Sequence, residues 1–208
     1  MGATMDAAEW DARYAQAGGS LFGEAPNLWL RMAMARIDPP RDALLPADGD
    51  GRNGAWLAAQ GVAVTAVDLS AEATRRAKAR DAAADVRAER VVADLAQWTP
   101  PSDRAWDLAA ILYLQGPPDL RLRALRTAAG ALRPGGWLVL EGFATGPGPV
   151  PATVGPSADD RRYGVAETLA AVAGLQTVEL TTGTVLLDEG PRHRGAAHVL
   201  RLLARRPG

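Results

Sequence analysis

From Ala43 to Phe143, short runs of apolar and β-branched residues alternate with longer segments rich in Ala, Leu and Arg. This alternation predicts successive βαβ units on a parallel sheet. The first strand spans Ala43 to Ala47, with Pro46 near its end because proline cannot donate to a ladder. Gly49 to Gly54 then turns into a helix running through Gln60, and Gly61 stops that helix before a second strand, Val62 to Val67, closed by Asp68. Ser70 caps the next helix, Glu72 sits at its positive end, and the helix runs through Ala77 and Lys78 toward Ala83. Arg90 to Ala93 and Asp107 to Leu114 read as strands three and four. Pro117-Pro118-Asp119 opens a helix whose Leu122, Leu125, Ala129 and Leu132 share one face. Arg133-Pro134-Gly135-Gly136 breaks it, and the nearly continuous apolar run Trp137 to Phe143 suits a buried fifth strand.

Beyond it, Thr145 to Ser157 is crowded with Gly and Pro and reads as an irregular loop, and Val165 to Ala173 reads as a short helix. Gln176 to Leu187 and Ala196 to Ala204 are two further strands. Their connection, Asp188 to Gly195, is too short for a parallel crossover and predicts a hairpin. The expected fold is therefore α/β: a doubly wound, mostly parallel seven-stranded sheet with a C-terminal antiparallel hairpin. The chain has no internal repeat.

Length and charge narrow the partners. The 208 residues suit one domain, and 23 Lys and Arg against 24 Asp and Glu give no broad pull toward nucleic acid or an anionic membrane. Without cysteine there are no thiolate metal sites, disulfides or thiol nucleophiles, and His193 and His198 alone cannot build a multi-histidine centre. No metal is expected. The N-terminus lacks the basic start and apolar core of a secretory signal, and no apolar run approaches a membrane span, so cytoplasmic residence is expected.

Candidate chemistry sits at the strand ends. Gly49-Asp50-Gly51-Arg52-Asn53-Gly54 fits G-x-G-x-x-G between a strand and a helix, where missing side chains let a ligand approach the backbone. Asp68 ends the second strand, where a doubly wound fold offers a carboxylate to the two hydroxyls of a ribose. It could instead cap the helix beginning near Ser70. Together these features select adenosine-containing ligands, and nicotinamide and flavin fit them equally well. Trp10 and Tyr14 lie four apart on a helical face, suited to a lid, to packing or to both. Arg192-His193-Arg194 is a basic run that could attract an anion or simply be solvated. Asp107 is read as a cap or a backbone-amide acceptor rather than a catalytic group, and the sequence singles out no catalytic residue.

From about Trp10 to Arg205 the chain resembles class I S-adenosylmethionine-dependent methyltransferases. The resemblance rests on the glycine turn, on Val67-Asp68, Ala93-Asp94-Leu95 and Trp106-Asp107-Leu108, and above all on Leu132-Arg133-Pro134-Gly135-Gly136, a turn not expected in nicotinamide dehydrogenases. Trp10-Asp11-Ala12-Arg13-Tyr14, Phe22-Gly23, Pro26-Asn27, Ala47 to Asn53 and Asp188 to Gly195 are similar to the tellurite-resistance and thiopurine-like branch.

The resemblance implies a single methyltransferase domain in which residues 1–30 form an N-terminal lid carrying Trp10 and Tyr14. It implies S-adenosylmethionine as cofactor, with Gly49 and Gly51 near the methionyl part, Asp48 and Asn53 in the same turn, and Asp68 on the ribose hydroxyls. Leu69 would flank the adenine, Asp94 would accept from its amino group, and Leu95 would lie beside it. Leu112 and Tyr113 would line the passage to a small-molecule acceptor, with Gln115, Arg192 and His193 on the acceptor side. Two departures stand out. The acidic residue many class I enzymes carry two places before the first glycine is here Ala47, its carboxylate moved to Asp48. Gln115 also stands near a place where the branch often has histidine. With no base evident near strand four, a soft or anionic acceptor of thiol, selenite or tellurite type suits the chain, because such nucleophiles need no proton removed at attack. An inactive S-adenosylmethionine-binding sensor or assembly protein is the alternative.

Overall fold

A computed structural model describes residues 5–146 and 152–208; the first four residues of the lid segment and residues 147–151 of the Gly/Pro-rich loop lie outside the described residues. In chain order the elements are α1 (Ala7–Gln16), α2 (Leu28–Met34), β1 (Asp42–Pro46), α3 (Arg52–Ala58), β2 (Ala63–Asp68), α4 (Ala71–Ala83), β3 (Ala88–Val92), β4 (Trp106–Leu112), α5 (Pro118–Gly130) and β5 (Leu132–Phe143). A short 3-10 helix (Asp159–Arg161), α6 (Val165–Ala171), β6 (Gln176–Gly190) and β7 (His193–Arg205) complete it.

The strands form one sheet in the order β3-β2-β1-β4-β5-β7-β6. The first five are parallel, and β7 runs antiparallel to both β5 and β6. This is the expected doubly wound sheet with its terminal hairpin. Period-two alternation sorts the strand residues onto two faces. Leu44, Ala109, Ile111, Leu138 and Leu140 face the layer of α5 and α6. Ala43, Leu45, Leu108, Ala110 and Val139 face the layer of α2 and α3. Strand order reverses between β1 and β4, so a crevice opens beyond their carboxyl ends, the usual ligand position in such sheets.

Four differences from the expectations stand out. β5 begins at Leu132, so Arg133 to Gly136 lies within the strand instead of breaking the chain before it. Helix α2 was not foreseen: its sequence Leu-Trp-Leu-Arg-Met-Ala-Met is apolar nearly all round and shows no helical stripe, although the Asn27 side chain caps it by accepting the Leu30 N–H at 2.9 Å. The fully buried residues of α5 are Arg121, Ala124, Leu125 and Ala128; of the expected stripe, Leu125 is among them, Leu122 and Ala129 pack half-buried against the same core, and Leu132 already opens β5. Arg121 joins the buried side because its guanidinium finds partners inward, donating to the carbonyls of Gly116 at 2.6 Å, Asp160 at 2.7 Å and Arg162 at 2.5 Å. Finally, Asp188 to Gly195 is not a loop. The ladder continues to Gly190 opposite His193, and the cross-strand pair Arg194 Nε to Asp188 Oδ1 at 2.8 Å extends it, which leaves Pro191 and Arg192 as the turn.

The hairpin tip clamps the N-terminal segment. A Cβ on Gly23 would lie 1.4 Å from the Glu189 carbonyl oxygen, and Gly23 also holds φ +108°, so two backbones meet where no side chain fits. Replacing Gly23 with alanine is expected to cost about 2–3 kcal/mol. Limited proteolysis should then cut around residues 17–26 faster than in the parent chain, together with a lower melting temperature.

Candidate functional site

A cavity of about 680 Å³ occupies that crevice, within the size range of small-molecule sites. Its wall is built from strand ends. Ala47 follows β1 with φ 59° and Tyr113 follows β4 with φ 57°, two non-glycine residues in the left-handed region on the two strands that flank the crevice. Such a conformation costs on the order of 1–2 kcal/mol per residue, comparable to what the burial of one leucine contributes. Left-handed residues of this kind cluster at ligand sites. Both remain tied to the sheet, Ala47 N–H donating to Val67 O at 2.7 Å and Tyr113 N–H to Glu141 O at 2.7 Å.

Asp68 lies on this wall with one side of its carboxylate committed at each oxygen. Oδ2 accepts the Gly49 N–H at 2.8 Å and Oδ1 accepts the Ser70 N–H at 2.9 Å. A carboxylate has about four acceptor positions, so roughly half its capacity is left for a ligand. Burial pushes its pKa up against the pull of those two donors. The Ser70 side chain caps α4 by accepting the Ala73 N–H. Asp68 thus supports the start of that helix and still faces the cavity; the two roles coexist.

Asp48 behaves differently. Its side chain turns behind the glycine turn to accept from Arg90 Nη1 at 2.5 Å and from the Gly54 N–H at 3.2 Å. Arg90 also grips Asp81 with two bonds, at 2.8 and 2.9 Å. Burial raises the Asp48 pKa to about 6, with Arg90 as the largest opposing influence. A Cβ on Gly54 would stand 2.4 Å from the Asp48 carboxylate, so the last glycine of the motif makes room for this buried triad.

The N-terminal segment covers the cavity. Asp11 Oδ1 accepts the Ser70 hydroxyl at 2.5 Å and the Glu72 N–H at 3.0 Å, which docks α1 on the start of α4. The docking places Trp10 on the cavity wall and the Tyr14 hydroxyl over Gly49. Asn53 Oδ1 accepts the Asn27 N–H at 2.8 Å, and Asn27 Nδ2 donates to Glu141 at 2.5 Å and Glu189 at 3.1 Å. Arg52 pairs with Glu189 at 2.6 Å. Burial pushes the Glu189 carboxyl up, but His193, Arg52 and the Leu28 N–H outweigh it and hold the pKa at about 2.

The structure gathers Trp10, Tyr14, Asp48, Gly49, Asn53, Asp68, Leu69, Asp94, Leu95, Leu112, Tyr113, Gln115 and His193 around the one cavity. Gly51 is not on its wall; it packs toward Ala77 and Arg90. Asp94 Oδ1 accepts the Ala96 N–H at 2.8 Å, which fixes the turn after β3. Arg192 is a correction. Strand alternation at the start of β7 sends His193 inward and Arg194 outward, and Arg192, in the turn, is exposed on the far side as well, so the basic run is split. Asp107 sits at the opening of β4, bonded to Arg41 and Arg133, away from the cavity.

His193 is also the group that fills a gap left by the sequence. It reaches the end of β4 from the hairpin, its ring 4.4 Å from Tyr113, 5.0 Å from Phe22 and 5.7 Å from Phe143. Neither ring nitrogen has a hydrogen-bond partner among the described residues, and Nδ1 lies 3.9 Å from Glu189 Oε2. Burial and the nearby Glu141 and Glu189 raise the Tyr113 pKa, keeping it a phenol. A cavity histidine with a free nitrogen and a carboxylate behind it can take a proton. Among the described residues no cluster suits a metal ion, and no helix is long and apolar enough to cross a membrane.

Residues 46–136, from the end of β1 into β5, match the family model described as methyltransferase domain. That family uses S-adenosylmethionine as methyl donor. No curated protein matches the sequence. Among solved structures, the chain is similar to the N-methyltransferase NodS from Bradyrhizobium japonicum WM9 in complex with S-adenosyl-L-homocysteine, with 17% identity over 97% of this chain and 98% of that one and a TM-score of 0.70. TehB from Haemophilus influenzae shares 14% identity with a TM-score of 0.69, over 96% of this chain but 66% of its own length. Magnesium protoporphyrin IX methyltransferase (ChlM) from Synechocystis PCC 6803, with bound S-adenosyl-L-homocysteine, shares 15% identity over 85% and 80% of the two chains, with a TM-score of 0.62. At these identities the likeness establishes the Rossmann-like methyltransferase fold.

Proposed function

We propose that this chain is an S-adenosylmethionine-dependent methyltransferase acting on a small molecule whose nucleophilic atom carries a proton. The observation that carries the reading is the wall where Asp68, with free acceptor capacity, and the Gly49 turn meet at the switch point of the sheet. The donor set fits the cofactor. Asp68 would hold the ribose hydroxyls, Leu69 and Leu95 would flank the adenine, and Asp94 would accept from its amino group. Asp48 and Asn53 would act indirectly, the first bracing the glycine turn through Arg90 and the second fixing the lid through Asn27.

When bound, S-adenosylmethionine supplies a methyl group on a cationic sulfur that leaves without acid assistance. The chain's own work is then positioning and proton removal. Trp10 and Tyr14 close the cavity to water, while Tyr113, Phe22 and Gln115 orient the acceptor. His193 receives the acceptor's proton at a ring nitrogen, and Glu189 stabilises the cation that results. This extends the acceptor from the soft or anionic thiol, selenite or tellurite type to hydroxyls and amines.

The test is titration of the chain with S-adenosylmethionine and S-adenosyl-L-homocysteine by calorimetry, followed by product detection over a panel of such acceptors. Saturable binding and turnover are expected. His193→Ala should lower kcat about a hundredfold with little change in cofactor affinity. Binding without turnover on any acceptor would make the chain a sensor or assembly protein instead, and absence of binding would end the reading.

A further inference from the structure

The charges on the cavity wall are not mixed at random. Asp68 ends β2 and Asp94 follows β3 on one half of the sheet, where the lining Arg52 is already paired with Glu189, whereas α5 follows β4 on the other half and presents Arg123 to the same cavity. Arg161, from the 3-10 helix, lines that wall too. Arg123 differs from the other guanidinium groups packed inside the chain. Arg52, Arg90 and Arg121 each hold carboxylates or backbone carbonyls. Arg123 is half-buried, lines the cavity and has no hydrogen-bond or ion-pair partner among the described residues; its Nε, like that of Arg121, is buried without an acceptor, but unlike Arg121 it has no partner at its other nitrogens either. Asp119, one turn earlier on α5, also borders the cavity but is exposed and does not come within 4.0 Å of it as an ion pair.

A guanidinium left unpaired on a cavity wall is satisfied when a ligand brings an acceptor to it. Its planar fork fits carboxylate and phosphate oxygens in pairs. The half of the cavity that would bind the nucleoside is already served by carboxylates, which suit hydroxyl and amino groups and the cationic sulfur but repel an anion. We propose that the methyl acceptor carries a carboxylate or phosphate group that pairs with Arg123, so that the site selects anionic small molecules over neutral isosteres. The inference rests on the methyltransferase reading and adds the substrate class. It also moves anion recognition from the hairpin run, whose Arg192 faces away from the cavity, to α5.

The test uses the full chain loaded with S-adenosyl-L-homocysteine, so that it needs no turnover. Binding of 3-mercaptobenzoate, 3-mercaptophenyl phosphate and neutral 3-mercaptobenzamide is measured by calorimetry. At least one of the two anions should bind ten times more tightly than the amide or better, and which one does distinguishes carboxylate from phosphate. Arg123→Gln should bring that anion within about twofold of the amide, and Arg123→Glu should invert the order, with unchanged melting temperature and unchanged S-adenosyl-L-homocysteine affinity. Arg192→Ala should leave all the affinities as they were. Equal binding of acid and amide by the parent chain, or binding of none of the three, overturns the inference. So does an Arg123→Gln variant that loses S-adenosyl-L-homocysteine instead, because Arg123 would then serve the cofactor. Failure of the parent chain to bind S-adenosyl-L-homocysteine at all is a different result, and it removes the methyltransferase reading itself.

Discussion

Replacing Asp68 with alanine is expected to weaken binding of S-adenosyl-L-homocysteine by a factor of a hundred or more. The carboxylate has acceptor capacity left after receiving the Gly49 and Ser70 N–H groups, and it lies on the cavity wall. If those free positions take two ribose hydroxyls, the variant loses two hydrogen bonds to a charged group, each about 1.5–3 kcal/mol, and every 1.4 kcal/mol is tenfold in affinity. Alanine also releases the Gly49 and Ser70 amides, so part of the loss would come from a loosened turn. Asp68→Asn separates the two effects. Its one amide oxygen keeps one of the two backbone N–H groups while the NH2 faces the other and the charge is gone, so the asparagine variant should melt between the alanine variant and the parent yet bind at least tenfold more weakly than the parent. Calorimetry beside a thermal melt reads both quantities. Unaltered affinity in the alanine variant would remove Asp68 from the cofactor site and with it the reading of the whole cavity.

The sequence carries the sheet well because its signals are local. The first four strand runs, the Ser70 cap and the Pro117-Pro118 helix start each act within a few residues, and each is found within a residue or two of its expected place, whereas β5 begins five residues before Trp137. Helix α2 escaped because seven mostly apolar residues carry no period, and the hairpin looked shorter because a charged run resembles a loop until its partner strand is known. Arg194 and Asp188 are ordinary surface charges in the sequence and become a ladder-extending pair only across the strands.

Much the same division holds at the site. The glycine turn, Asp68 and Asp94 are visible because strand-end position alone gives them a role. Arg90, Glu141 and Arg52 act through partners far along the chain: Arg90 with Asp48, Glu141 with Asn27, Arg52 with Glu189. No spacing rule reaches so far. A weaker signal was present, since Arg90 and Glu141 are charges inside strands, and a buried charge in a strand requires a partner. His193 shows the other limit. It was legible as a member of a basic run, but only its place as the first residue of β7, beyond the turn that holds Arg192 and alternating with Arg194, points it at Tyr113.

Arg90→Leu is expected to destabilise the fold by about 3–5 kcal/mol near pH 8, the usual cost of removing one partner from a buried ionic group. Arg90, Asp48 and Asp81 have side chains 2%, 2% and 7% exposed, so water cannot take the place of the guanidinium. The pH dependence follows from Asp48. Its folded pKa, about 6, already lies above the model-peptide value because burial outweighs Arg90. A carboxyl whose pKa is raised on folding contributes stability below its unfolded value, and that contribution is lost as pH rises through the folded one. Without Arg90 the folded pKa must climb further, so the window of loss extends upward. The deficit of the leucine variant should therefore be largest at pH 8 and shrink by at least about 1 kcal/mol toward pH 5, as Asp48 takes up its proton. Denaturant unfolding at the two pH values measures this directly. Adding Asp48→Asn to Arg90→Leu should recover part of the stability at pH 8 and flatten the pH dependence. A deficit of equal size at both pH values would mean that Arg90 supports the glycine turn by packing rather than by charge.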